Sequence, residues 1–323
     1  MALFQILRGK AANLASKAFH DGYAYLTPDD GAFYIDAETD GEQKRIHINP
    51  KPDLQEITAD EVQSTWDSYP PPCLTFSSPN SFTMNVATPG WDGTMEYSTD
   101  KSTWVTWDGS QVAAVNNGGT YALYFRGIGN TKVAGSTSNK WTLAGANIAC
   151  DGNIESLLDY TTVAAGNHPQ MATNCYYALF YGCTGLTTAP ELPATTLADF
   201  CYGSMFGGCT SLTTAPALPA TTLADGCYYY MFEDCTSLTT APALPATTLA
   251  NLCYAGMFRY CTKLKLSATQ TGNYTKAYRI PTSGTGTTAK NAFKDMFVLT
   301  GGAFAGTPAI NITYYLDASN TIV

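Results

Sequence analysis

The sequence predicts a multidomain chain: a small β-rich N-terminal module, a β-sandwich, and a C-terminal α/β array of stacked repeats. Three observations predict it. Cysteines recur every 26 residues in two series, Cys175, Cys201, Cys227, Cys253 and Cys183, Cys209, Cys235, Cys261. Short runs with turn dipeptides between them fill the first half of the chain. The stiff segment Tyr69-Pro70-Pro71-Pro72 separates two such regions.

Residues 1–50 read as a compact β-rich module. Tyr23, Tyr25, Phe33, Tyr34, Ile35, Ile46 and Ile48 lie in strand-like runs, with Pro28-Asp29-Asp30-Gly31 and Thr39-Asp40-Gly41 as turns. Fifty residues make a marginal core, so docking or oligomerisation is expected. Residues 51–72 read as a linker. Thr58-Ala59-Asp60-Glu61 offers a capping box for a short helix, with Val62 and Trp66 on one face.

Residues 73–147 read as the sandwich. Its expected strands are Cys73–Phe76, Ser81–Ala87, Thr94–Ser98, Trp104–Trp107, Tyr121–Gly127 and Lys140–Leu143. Pro89-Gly90, Asp92-Gly93, Asp108-Gly109 and Asn116-Asn117-Gly118-Gly119 punctuate them. Residues 148–323 read as the repeat array with degenerate end units. Gly152-Asn153-Ile154 with Leu157-Leu158 would start it. Ala292-Phe-Lys-Asp-Met-Phe297 echoes the repeat without cysteines.

Within the array, Cys201, Met205 and Cys209 fall at i, i+4 and i+8, as do Cys227, Met231 and Cys235. That spacing predicts a helix of about two turns between each cysteine pair, its apolar stripe widened by Phe206 and Phe232. Leu212, Leu238, Leu218 and Leu244 should point inward from extended segments, kept non-helical by Pro216 and Pro219.

The ten cysteines predict neither a zinc site nor a bridge within a unit. A spacing of eight misses the C-x₂₋₄-C pattern. Eight helical residues span about 12 Å, beyond the ~7 Å that a disulfide tolerates between Cα atoms. Bonds between neighbouring coils require a closer approach than the ~8–10 Å of packed helices. A ladder of buried thiols behaving as small apolar residues is the expectation.

Composition narrows function. Charged residues are 13% and apolar residues 45%, and net charge is −9. The charged share is about half the usual one, as in extracellular or virion surface proteins. The negative balance argues against nucleic acid or an anionic membrane as partner. No run approaches the ~18 apolar residues of a membrane span. No secretory signal is evident at the start. His20, His47 and His168 are scattered, and no catalytic motif is present. No enzyme activity, metal or cofactor is expected.

The repeats differ from one another mainly off the Cys-Met-Cys stripe. Tyr177, Tyr181, Phe200, Ser204, Tyr229, Tyr230, Glu233, Asp234, Arg259 and Tyr260 should therefore form one exposed face, the candidate receptor-contact surface. Tyrosine gives large contact area at low entropy cost, which suits binding.

The unit Leu-Pro-Ala-Thr-Thr-Leu-Ala-x-x-Cys-Tyr-x-x-Met-Phe-x-x-Cys-Thr-Ser-Leu-Thr resembles the BspA-like leucine-rich repeats. Phe180, Phe206, Phe232 and Phe258 match the family Phe, and Cys183, Cys209, Cys235 and Cys261 the family Cys. This unit is longer and carries an extra leading Cys-Tyr. The resemblance implies a leucine-rich-repeat solenoid and surface recognition, with no catalytic residues. The opening, Phe4-Gln-Ile-Leu-Arg-Gly-Lys-Ala-Ala-Asn13 with Gly31-Ala-Phe-Tyr-Ile-Asp36, is similar to N-terminal modules of phage tail-fibre and receptor-binding proteins. The middle region looks like the Ig-like spacers of such fibres. Together they imply a phage virion protein, a tail or head fibre. It would join other virion proteins through residues 1–50, bind a host surface glycan or protein through the repeats, and form a homo-oligomer, a trimer by analogy. A bacterial cell-surface adhesin, or a virion decoration protein with a structural role, are the alternatives.

Overall fold

The structure is a computed structural model. It describes residues 5–8, 23–27, 32–39, 42–48, 71–281, 291–310 and 312–323. The chain divides into two compact units, Met1–Tyr69 and Pro70–Val323.

Among its described residues the first unit holds one sheet of strands β1 (Gln5–Arg8), β2 (Tyr23–Thr27), β3 (Ala32–Thr39) and β4 (Glu42–Ile48), in that spatial order. β1 and β2 are parallel; the other pairs are antiparallel. Thr39 pairs with Glu42, across the Asp-Gly dipeptide that the sequence reads as a turn. The helix expected near Thr58–Trp66 lies outside the described residues, as does the Gly/Thr-rich insertion at 283–288.

The second unit opens with two sheets. One joins β5 (Leu74–Ser78), β7 (Thr94–Ser98), β8 (Val105–Thr106), β10 (Val115–Asn117), β11 (Thr120–Ile128), β13 (Ile148–Asp151) and β14 (Leu186–Thr188). The other joins β6 (Thr83–Val86), β9 (Val112–Ala113) and β12 (Trp141–Ala144). Alternating burial along β5 and β12 places Phe76 and Trp141 between the sheets, where they pack with Trp107 and Phe125. Strand β13 pairs with β5 on one side and with β14, inside the first repeat, on the other. Sheet and repeats therefore share one core, and Phe180 of the first repeat touches both Phe76 and Trp141. Helix α1 (Ser156–Ala164) lies against β11 at Gly127. A Cβ there would sit 1.8 Å from the Leu157 carbonyl oxygen, so only glycine admits the helix.

The repeats correct the predicted fold class. The chain is built of strands in several small sheets, and among the described residues α1 is the only α-helix. It is not an α/β leucine-rich-repeat solenoid. Each Cys-to-Cys stretch is a flat ribbon of consecutive turns. In the second ribbon the amides of Cys201, Gly203, Met205, Gly207 and Cys209 donate three residues back along the chain. The amides of Phe200, Tyr202, Ser204, Phe206 and Gly208 donate instead to the next ribbon, at Asp225, Cys227, Tyr229, Met231 and Glu233. An α-helix would direct every amide four residues back within its own segment. Here half of them stitch neighbouring ribbons together.

The backbone that permits this turns left-handed at every fourth residue: Phe200 (φ 51°), Ser204 (51°) and Gly208 (72°), then Gly226 (60°), Tyr230 (52°) and Asp234 (59°). In the turns closed by the Cys201, Met205 and Cys209 amides this residue is the third of four, the position at which a type II turn requires positive φ. The resulting period is four, two side chains in and two out. On a helix this Cys-Tyr-x-x-Met-Phe-x-x-Cys motif would follow a slanting stripe that shifts by about 40° every four residues; the ribbon keeps it on one side without drift. Cys201, Met205 and Cys209 do share the inner side, but Tyr202 and Phe206 share it equally.

Among the described residues five ribbons stack, the fifth being the cysteine-free 291–299. Tyr176, Tyr202, Tyr228, Tyr254 and Phe293 form one column, ring centroids 5.5 to 5.9 Å apart. Phe180, Phe206, Phe232, Phe258 and Phe297 form a second at 5.6 to 5.7 Å. Leu212, Leu218, Leu238 and Leu244 are buried in the return segments. These segments include β15 (Thr240–Ala241) and β16 (Lys265–Ser267). β17 (Tyr274–Arg279), β18 (Gly301–Gly302) and β19 (Thr313–Asp317) form a sheet with β16.

The C-terminal strand β20 (Thr321–Ile322) pairs in parallel with β15. Its anchor is Asn320, fully buried. The Asn320 Oδ1 accepts from the Lys265 amide at 2.8 Å, and its Nδ2 donates to the Lys263 carbonyl at 3.1 Å. Asn320→Ala strands both groups and is expected to cost about 2 kcal/mol in urea unfolding. An unchanged midpoint would show that the clamp contributes nothing.

Candidate binding face

The ribbons carry a second set of columns on their outer side, where the repeats differ. Their geometry follows a big-on-small rule. A Cβ at Gly203 or Gly207 would meet the ring of Tyr177 (2.7 Å) or Tyr181 (2.8 Å) of the preceding ribbon. Gly226 stands in the same relation to Phe200 (2.2 Å), and Gly256 to Tyr230 (2.4 Å). Each of these rings occupies the space that a missing side chain leaves one ribbon on. The rings are thereby fixed before any ligand arrives, which lowers the entropy cost of binding.

The outer residues gather most densely on the second to fourth ribbons. Tyr229 meets Phe200 edge-on at 5.9 Å and Tyr230 at 4.3 Å. The Arg259 guanidinium lies 4.6 Å from the Tyr260 ring centre and 5.9 Å from that of Tyr230. It donates to the Tyr260 hydroxyl at 2.9 Å and pairs with Glu233 at 3.5 Å. Burial pushes the Glu233 carboxyl up, against the pull of Arg259. Burial likewise raises the Tyr229 phenol. The Arg259 Nε is buried and, among the described residues, has no hydrogen-bond partner.

The ten predicted contact residues thus have unequal positions. Tyr177, Phe200, Tyr229, Tyr230, Glu233, Arg259 and Tyr260 are half-buried, and Tyr181 and Asp234 are exposed. Ser204 is buried and offers a ligand nothing. Tyr181 stands near the Lys140 ammonium, 5.6 Å from its ring centre. The variable positions Asp199, Asp225 and Asn251 have a structural use. The Asp225 amide donates to the Asp199 carboxylate at 3.1 Å, and the Asn251 amide to the Asp225 carboxylate at 2.9 Å. They form a polar rail that caps successive ribbons.

All eight repeat cysteines are buried thiols, and none of the ten in the chain is bridged. They are more than apolar filler. Cys209, Cys235 and Cys261 each donate to the carbonyl of a phenylalanine in the preceding ribbon, Phe180, Phe206 and Phe232, at 3.2, 3.1 and 3.0 Å. The Cys183 thiol donates to the Trp141 carbonyl at 3.2 Å. Among the described residues no three His, Cys, Asp or Glu side chains converge as a metal site would require. No described helix is long and apolar enough to cross a membrane.

Comparison with family profiles, curated proteins and solved structures returns no match.

Proposed function

We propose that this chain is a non-enzymatic phage virion protein, a tail or head fibre or receptor-binding protein. In this reading its N-terminal sheet attaches to other virion proteins, and its outer ribbon face binds a host surface glycan or protein. The observation that carries the reading is the outer face itself. A nearly invariant inner framework holds an outer surface that varies from ribbon to ribbon, and the variation concentrates tyrosine, Arg259 and Glu233 there. Large aromatics and arginine are the residues that dominate binding energy in protein interfaces. Copies on one particle would multiply weak contacts into firm attachment.

The test uses the full-length chain, fluorescently labelled, on a panel of bacterial cells. Replacing Tyr229, Tyr230 and Tyr260 together by Ala should weaken attachment by about 2 kcal/mol or more. The variant should keep the far-ultraviolet spectrum of the parent. Full attachment by the triple variant removes this face as the binding surface.

A further inference from the structure

A second site lies at the start of the repeats, in a cleft of about 310 Å³ lined by Glu155, His168, Met171, Thr195, Thr196 and Leu197, among others. None of the ten outer-face residues lines it. We infer that this cleft binds a single neutral sugar residue.

The argument begins with a buried charge. Glu155 sits at the N-terminal cap of α1, and its side chain is only 1% exposed. A carboxylate so placed needs a partner. His168 supplies it: Nδ1 lies 2.7 and 3.0 Å from the two carboxylate oxygens, while the imidazole remains 57% exposed. A carboxylate held on Nδ1 fixes the ring orientation and leaves Nε2 as its free polar atom. The Glu155 carboxylate is turned inward onto His168, so among the described residues the cleft presents no unpaired carboxylate or ammonium to a ligand.

The remaining polar groups are hydroxyls. Thr195 and Thr196 are exposed on the return segment before the second ribbon, and each hydroxyl both donates and accepts. The walls are aliphatic: Met171, Leu197, Ala194, Ala198 and Pro169. The volume falls at the lower end of the ~300–1,000 Å³ range of small-molecule sites. A matching ligand is small and uncharged, carries several hydroxyls that donate and accept, and has a C–H face to lay on the aliphatic wall. A pyranose meets all four conditions. Among the described residues no lysine or arginine lines the cleft, and its one carboxylate is already paired with His168, which disfavours charged ligands.

The chain has three histidines, so ring signals of the ¹⁵N-labelled full-length protein can report on this site. The His168 signals are those lost in His168→Asn. Glucose, galactose and N-acetylglucosamine are titrated at millimolar concentration, with acetate and ethylamine as charged controls. At least one sugar should move the His168 signals saturably, and the controls should not. Leu197→Trp, which fills the cleft, should abolish the movement. Thr195→Trp, at an exposed position that tolerates the bulk, should do the same in a folded protein. Failure of all three sugars to move the signals overturns the assignment. So does a larger response to acetate or ethylamine, or an undiminished response in Thr195→Trp.

Discussion

Phe206→Ala is expected to lower stability by about 3–5 kcal/mol, a large share of what a domain of this kind possesses. The ring is fully buried between those of Phe180 and Phe232, each 5.7 Å away and within 22° of parallel. Removing it deletes the apolar contact on both sides and leaves a void that rigid neighbouring ribbons cannot close. Their spacing is fixed by amide bonds on either side, including Phe206 N to the Met231 carbonyl and Phe180 N to the Met205 carbonyl. Repeat stacks derive stability from contacts between neighbours, so a gap in the column also weakens coupling along the array. Urea unfolding should show an earlier midpoint and a broader or two-step transition. Phe206→Leu, which retains most of the volume, should lose much less. A loss under about 1 kcal/mol for the alanine variant would mean that the aromatic column does not hold the stack together.

Alkaline pH should unfold the protein well below the point at which exposed tyrosine and lysine alone would do so. Burial pushes the thiols of Cys183 and Cys253 up to about 12, from an ordinary value of 9.0. It raises Cys150, Cys201, Cys209, Cys227, Cys235 and Cys261 too. The stacked phenols Tyr176, Tyr202, Tyr228 and Tyr254 are raised by the same desolvation. The folded state therefore keeps protons that the unfolded state releases. Stability is present in full below pH 9 and is lost as pH climbs from there toward 12. Each thiol that ionises only on unfolding contributes a slope of about 1.4 kcal/mol per pH unit. With several acting together, the fall should be complete within about two pH units. Circular dichroism against pH gives the midpoint. Cys235→Ala should flatten the slope by one proton, although it loses the thiol bond to Phe206. A stability flat between pH 9 and 11 would show that the thiols titrate freely and are not sealed.

Much of this architecture could be read from residue order. The strands at 74–78, 83–86, 94–98, 120–128 and 141–144 fall on the runs that alternation and turn dipeptides mark out. Ala292–Phe297 takes its place as a fifth ribbon because Phe293 and Phe297 keep the spacing of the two aromatic columns. The helix reading of the repeats failed on one ambiguity. Cys201, Met205 and Cys209 align on a helix and on a four-residue ribbon alike. The discriminating signal was the residues between them. Asn174, Gly182, Gly208, Gly226, Asp234, Gly256, Asn291 and Asp295 stand at left-handed positions, and these are the types that tolerate positive φ. Phe200, Ser204, Tyr230, Leu252 and Tyr260 adopt the same backbone and conceal the pattern, since nothing local favours it for them. The outer face was legible as a set of variable positions. That Ser204 is buried was not. The pairing of Glu155 with His168 joins residues in the irregular segment around α1, where no periodicity points to it.

Sequence alone determined the repeat length, the inner set of cysteine, methionine, leucine and phenylalanine side chains, and the placement of the sandwich strands. Those follow from which side of the chain each residue occupies, a local property. Tertiary structure decided where the backbone amides go. An amide in these segments can satisfy itself along its own chain or across to a neighbour 25 residues away, as Tyr202 does with Cys227. Only the presence of that neighbour tips the choice from helix to ribbon, because each ribbon completes the hydrogen bonds of the one before it.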